Sequence, residues 1–174
     1  MNPLSLLFML GFLIFPSCRG VSAQEPSAQE SPKSNSTKNH LFTAQAIAEQ
    51  TLDAMRDSDV GFLSNLADPT GLYIGIDVSK MTASQFRKEL SEKRGVYCVI
   101  LDSSCIRNNG NNTQYSLRQV LIRQPVTVTI GGVQGAPEMK AAAVKDAKNP
   151  NEILFTLMFR RIGRDWKLQQ IEYE

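Results

Sequence analysis

The sequence predicts an α+β domain in which N-terminal helices pack on a curved, mostly antiparallel sheet. Three observations carry this reading. Apolar residues recur at three- and four-residue spacing from Phe42 to about Arg56 and again at Phe86 and Leu90. After Gly95 they alternate with polar residues or run together in short stretches. Turn-rich pieces, "DSS", "NNGNN", "GGVQGAP" and "KNPN", separate those stretches.

In chain order, Phe42, Ala46, Ile47, Leu52 and Met55 predict a first amphipathic helix with Thr43 available as its cap. "DSDVGFLSNLADP" predicts a short second helix, capped near Asp57 or Ser58 and stopped by Asp68-Pro69. In "LYIGIDV" Leu72, Ile74, Ile76 and Val78 alternate with Tyr73, Gly75 and Asp77, which predicts a strand with its even-numbered side chains on the core. "TASQFRKELSEK" predicts a third helix, capped by Thr82 or Ser84 and ended by Gly95. Six strands are then expected: "VYCVIL", "YSLRQVLIRQ", "VTVTI", "MKAAAVKD", "EILFTLMFRRI" and "DWKLQQIEY".

The first 41 residues are expected to lie outside this domain. "LSLLFMLGFLIF" is an apolar run too short to span a bilayer comfortably, and "VSA" has the small-residue pattern that a signal peptidase cuts after, so Met1 to Ala23 reads as an export signal. No Lys or Arg precedes the apolar run, which leaves an uncleaved anchor as the alternative; a lipid on Cys18 is disfavoured by Phe15 and Pro16 before it. Residues 24–41 contain the repeated "SAQE" motif's second copy and only one large apolar side chain, Leu41, too little to offset the entropy of ordering them. They read as a flexible tether. Asn35 and Asn112 stand in glycosylation sequons. Cleavage removes one of 19 cations and none of 17 acids, so the mature chain is close to neutral and nucleic acid is not an expected partner.

The order of helices, strand, helix and meander, closing on "FRRIGRDWKLQQIEY", resembles the nuclear transport factor 2-like, or cystatin-like, cone over residues 42–174. The resemblance implies a helix wrapped by a bent sheet, a pocket at the open end and a homodimer. It implies no single function, because the scaffold hosts isomerases, dehydratases, binding modules and immunity-type proteins.

His40, the only histidine, sits in the tether, so histidine-dependent triads, metal sites and dehydratase pairings lack their base or ligand. No phosphate loop or dinucleotide fingerprint occurs, and no metal or cofactor is expected. Tyr73 and Asp77 form a candidate acid–base pair on one strand, but their odd parity favours solvent or a subunit interface. Tyr97 and Trp166 are candidate pocket aromatics, with core or rim packing the plainer reading. Cys98 and Cys105 are about 23 Å apart if the chain between them stays extended, so a bridge requires a reversal, for which "DSS" supplies turn formers. Two buried thiols are the alternative. In "FRRIGRDWK", Arg160, Arg161 and Arg164 are a candidate anion patch, yet a solvated hairpin tip is favoured, and Arg160→Ala with Arg164→Ala is expected to leave folding nearly unchanged.

These features favour an exported, non-catalytic module that binds a small ligand or a protein. A cone-fold isomerase or dehydratase using Asp and Tyr is the first alternative, and a structural subunit of an envelope assembly the second. For export the expected outcome is a mature start at Gln24 by mass spectrometry of the secreted protein; a dominant species retaining Leu4 to Phe15 establishes an anchor instead.

Overall fold

The computed structural model describes residues 43–75, 80–105 and 115–173. The expected signal and tether, with Cys18, Asn35 and His40, lie outside them, as do Asp77 and Asn112.

Helix α1, Ala44–Asp57, starts where the Thr43 hydroxyl accepts a hydrogen bond from the Ala46 amide at 3.1 Å. Its buried stripe includes Ala48, Leu52 and Met55, the spacing of one helix face. Ser58 ends it in the left-handed conformation, and Asp59, rather than Asp57 or Ser58, caps α2, Val60–Leu66, through the Phe62 amide. Helix α3, Ala83–Ser91, opens on a reciprocal box between Thr82 and Gln85 and buries Phe86 and Leu90 completely.

Two expected strands are helices. "VYCVIL" forms α4, Val96–Ile100, and "YSLRQVLIRQ" forms α5, Leu117–Arg123. In α4 the fully buried positions Val96, Cys98 and Ile100 alternate with half-buried Tyr97 and Val99, so a buried single turn carries a strand-like pattern. Its cap is not local: the Glu89 carboxylate of α3 accepts from the Val96 amide at 2.9 Å. Gly95 has φ +54°, and a Cβ there would run into that carboxylate. Gly95 therefore starts α4 as much as it ends α3. Helix α5 carries a sequence signal that strand patterning obscured: Ser116 and Gln119 cap each other reciprocally, and Pro125 forces the preceding residue into extended geometry.

The sheet has the order β2-β1-β6-β5-β4-β3. Strands β3, Val126–Val133, β4, Ala136–Asp146, β5, Ile153–Ile162, and β6, Asp165–Glu172, form an antiparallel meander. Strand β1, Leu72–Ile74, joins β6 in parallel, and the two-residue β2, Lys80–Met81, closes the other edge. Register shifts at Val144/Lys145 and Met158/Phe159 mark bulges, which bend a sheet. Ala142, Val144, Phe155, Leu157, Phe159, Leu168 and Ile171 are buried on the helix side. Strand β5 lies inside the sheet, between β6 and β4, and its fully buried side chains, Phe155, Leu157 and Phe159, are all odd-numbered; Leu154, Thr156 and Met158 on the other face are half-buried. No helix among the described residues is long and apolar enough to cross a membrane.

Cys98 and Cys105 form a disulfide with Cα atoms 5.5 Å apart. The reversal between them is made by α4 and a 3-10 turn, Ser103–Cys105, in which the Asp102 carboxylate accepts from the Ser104 amide. Closing this short loop is worth about 2.5 kcal/mol on a chain-entropy basis. Cys98→Ser and Cys105→Ser are expected to lower Tm equally, and the double variant no further, because both remove one crosslink. Additive losses in thermal melts establish two independent thiol contributions instead.

Candidate functional site

The closing hairpin builds one wall of a groove. β5 and β6 turn over Gly163 and Arg164, with Gly163 at φ +62°, the left-handed geometry that a two-residue hairpin takes at its first central position. Trp166 has the same parity as the fully buried Leu168, so it faces the helix side, at the end of the sheet. Ile47 of α1 and Phe62, Asn65 and Leu66 of α2 form the opposite wall. The groove has a volume of about 270 Å³ and is completed by Arg164, Asp165 and Lys167. It is an apolar trough with a charged rim.

The two walls are tied together just behind the groove. The Lys167 ammonium donates to the Asn65 carbonyl at 3.1 Å, the Asp68 amide donates to the Leu168 carbonyl at 2.9 Å, and Ala67 bridges Leu168 in parallel. Asp68 opens the turn Asp68-Pro69-Thr70-Gly71, whose Gly71 amide returns to the Asp68 carbonyl. Its side chain is completely buried. Arg160 of β5 meets it with two hydrogen bonds, Nε to Oδ2 and Nη2 to Oδ1, both 2.7 Å, while the Thr70 amide and hydroxyl each donate to Oδ1 at 2.7 Å. Arg160 Nη2 also donates to the Thr70 hydroxyl at 2.9 Å. Burial pushes the Asp68 carboxyl up, but the hydrogen bonds from Arg160 and Thr70 and the guanidinium charge outweigh it and hold the group below its ordinary value.

This corrects the reading of the arginine run. Arg160 is not a solvated tip residue: its charge is spent on Asp68, a partner 92 residues earlier in the chain. Arg161 is exposed, and its Nε donates to the Gly163 carbonyl at 3.3 Å. Arg164 is exposed on the groove rim, and its side chain forms no ion pair among the described residues. The three do not act as one patch. Of the candidate pocket residues that the structure describes, only Trp166 lines the groove. Tyr73 is half-buried on β1, under the Lys80 ammonium at 5.8 Å, and Tyr97 is half-buried on α4 against the core. Asp77 lies outside the described residues, and among the described residues that line the groove the one carboxylate is Asp165. Ile47, Phe62 and Leu66 escaped the sequence reading of the site because helical periodicity assigns them to core.

Arg160→Ala and Asp68→Asn are each expected to cost on the order of 3 kcal/mol, since removing either partner leaves the other uncompensated, whereas Arg164→Ala stays within about 0.5 kcal/mol in denaturant melts. Because the folded-state pKa of Asp68 lies below its ordinary value of 3.8, the pair's contribution is complete above that value and is lost as pH falls through the lowered pKa. Acid unfolding curves of Asp68→Asn are therefore expected to lose part of the wild-type pH dependence.

No protein-family model and no curated protein matches the chain. Among solved structures it is similar to a variant of Rd1NTF2_05, at 14% identity and TM-score 0.41, over 75% of this chain and 96% of that one. It is also similar to a de novo designed protein with a curved β-sheet, at 11% identity and TM-score 0.40, over 76% of this chain and 99% of that one. A third is an NTF2-like protein from Cytophaga hutchinsonii, at 12% identity and TM-score 0.39, over 75% of this chain and 96% of that one.

Proposed function

We propose that this chain is an exported, non-catalytic binding module whose groove between α1, α2 and the closing hairpin takes a small amphiphilic anion. The observation that carries the reading is the union, in one trough, of Ile47, Phe62, Leu66 and Trp166 with the rim cations Arg164 and Lys167, against Asp165 as the single acid among the described lining residues. An apolar body lies along the aromatic and aliphatic side chains, and an acidic head meets Arg164, whose planar guanidinium suits a carboxylate or phosphate. Lys167 already donates to the Asn65 carbonyl, which leaves Arg164 the more available cation. Export rests on the leader sequence, and the Cys98–Cys105 bridge is compatible with it. A carboxylate–tyrosine enzyme is less well supported, because no tyrosine is among the described residues that line this groove.

Trp166 is the only tryptophan, so fluorescence excited selectively at the indole, beyond tyrosine absorption, reports on this groove. Titration with decanoate is expected to give a saturable change, with decanol binding about tenfold more weakly and Arg164→Ala erasing the difference, as loss of one charge-assisted contact implies. Absence of a saturable change with either probe up to about 1 mM overturns the proposal.

A further inference from the structure

The two edges of the sheet are treated differently. Strand β2 presents only two residues, one of them the exposed Lys80, which blunts that edge against further pairing. Strand β3 presents eight, "VTVTIGGV", with no charge and no proline, and among the described residues it is bonded only to β4. The Ala147 amide donates to the Pro125 carbonyl at 3.0 Å, one step before the register that opens with Val126 opposite Asp146. Hydrogen-bonded pairs alternate along an antiparallel ladder, so Thr127 and Thr129 bond to β4 while Val126, Val128 and Ile130 direct their N–H and C=O groups away from it. A groove of about 510 Å³ follows this edge, lined by Val126 and Val128 on the strand side and by Glu49, Leu52, Asp53 and Arg56 of α1. The α1 wall is net acidic. Arg56 is ion-paired with Asp53 at 2.8 Å, whereas the exposed Glu49 carboxylate accepts only from the Gln45 side-chain amide, at 2.6 Å, and has no cation partner among the described residues.

We propose that an extended, basic segment of a partner protein adds to β3 as a further strand, with a lysine or arginine seated against Glu49. The outward main-chain groups of Val126, Val128 and Ile130 are matched by a strand and not by a helix. Side chains of that strand opposite Val126 and Val128 enter the groove over the buried Leu52, so apolar residues suit them, except at the position that meets Glu49. The charge of the wall then chooses among extended segments. An acidic one is repelled, and a second copy of β3 brings no cation and carries the same acidic wall, so neither satisfies Glu49.

The test titrates the mature chain, Gln24 to Glu174, with the end-capped peptide Thr-Val-Thr-Lys-Thr-Val-Thr and follows backbone amides by two-dimensional NMR. The valines and the lysine of this peptide share one face, and it reads the same in both directions, so it serves either strand orientation. Saturable shifts centred on Val126, Val128 and Ile130 are expected, with a Kd below about 1 mM. Glutamate in place of the peptide's lysine is expected to weaken binding about tenfold, and Glu49→Lys in the protein to reverse that preference. Methylating the backbone nitrogen of the peptide's lysine keeps its charge and is expected to abolish the shifts, because it blocks the ladder. Glu49 is exposed, so circular dichroism of the variant is expected to match wild type. No saturable shift up to about 1 mM overturns the proposal, as does equal binding of the lysine and glutamate peptides or full binding of the methylated one. It is overturned equally if, without peptide, the three amides are already protected from hydrogen exchange or shift with protein concentration, since the edge is then covered by this chain itself or by a second copy.

Discussion

The fold turns on a carboxylate that solvent does not reach. Asp68 lies where the chain leaves α2, crosses beside β6 and enters β1, and its side chain gathers four hydrogen bonds from Arg160 and Thr70. A buried carboxylate without such partners would be strongly unfavourable; with a two-pronged guanidinium and a backbone amide it becomes a rigid joint. The joint connects the helical layer, through α2, to β5, and its neighbours, the Asp68 amide to Leu168 and Lys167 to Asn65, repeat the same connection. Helix α2 and the β5–β6 hairpin are the two walls of the groove. Their spacing, and so the width of the groove, follows from this joint.

The helical layer is assembled by contacts of the same non-local kind. Glu89 of α3 caps α4, Arg118 of α5 donates to the Arg56 carbonyl at the end of α1, and Ser103 is bonded to Gln119 of α5. Helices of five and seven residues are too short to persist alone, so their stability comes from packing and from caps lent by neighbours. The Cys98–Cys105 bridge ties α4 to the turn that follows it, adding a covalent restraint where intrinsic helix stability is lowest.

Sheet curvature and groove belong together. Bulges in β4–β5 and β5–β6 bend the meander around the helices, and Trp166 lies beyond the last fully buried residue of β6, where the sheet passes the edge of the core. Trp166 is half-buried at that position, packed against the core while it lines the groove. The meander that places Trp166 there also leaves β3 at the far edge of the sheet, bonded among the described residues only to β4.

Local chemistry was enough to locate α1, α2, α3 and the four meander strands, because their caps, spacing and turns lie within a few residues of one another: Thr43 for α1, the Thr82–Gln85 box for α3, Gly163 for the last hairpin. The Cys98–Cys105 pairing was legible for the same reason, as a short loop with turn formers inside it. Helix α5 was legible too, in Ser116 and Gln119, but the apolar run around it dominated the reading. Helix α4 was not, since its cap is a side chain of another helix and its burial alternates as a strand's does. Nor was the role of Arg160, whose charge beside Arg161 and Arg164 looks solvated until Asp68 is brought to it across 92 residues. The sequence by itself determined which segments are helical or extended wherever the deciding hydrogen bonds are local. Only the tertiary structure decided which charges are buried, which aromatic lines a groove and which strand is left at an edge, because each of those depends on a partner that chain folding, not sequence proximity, supplies.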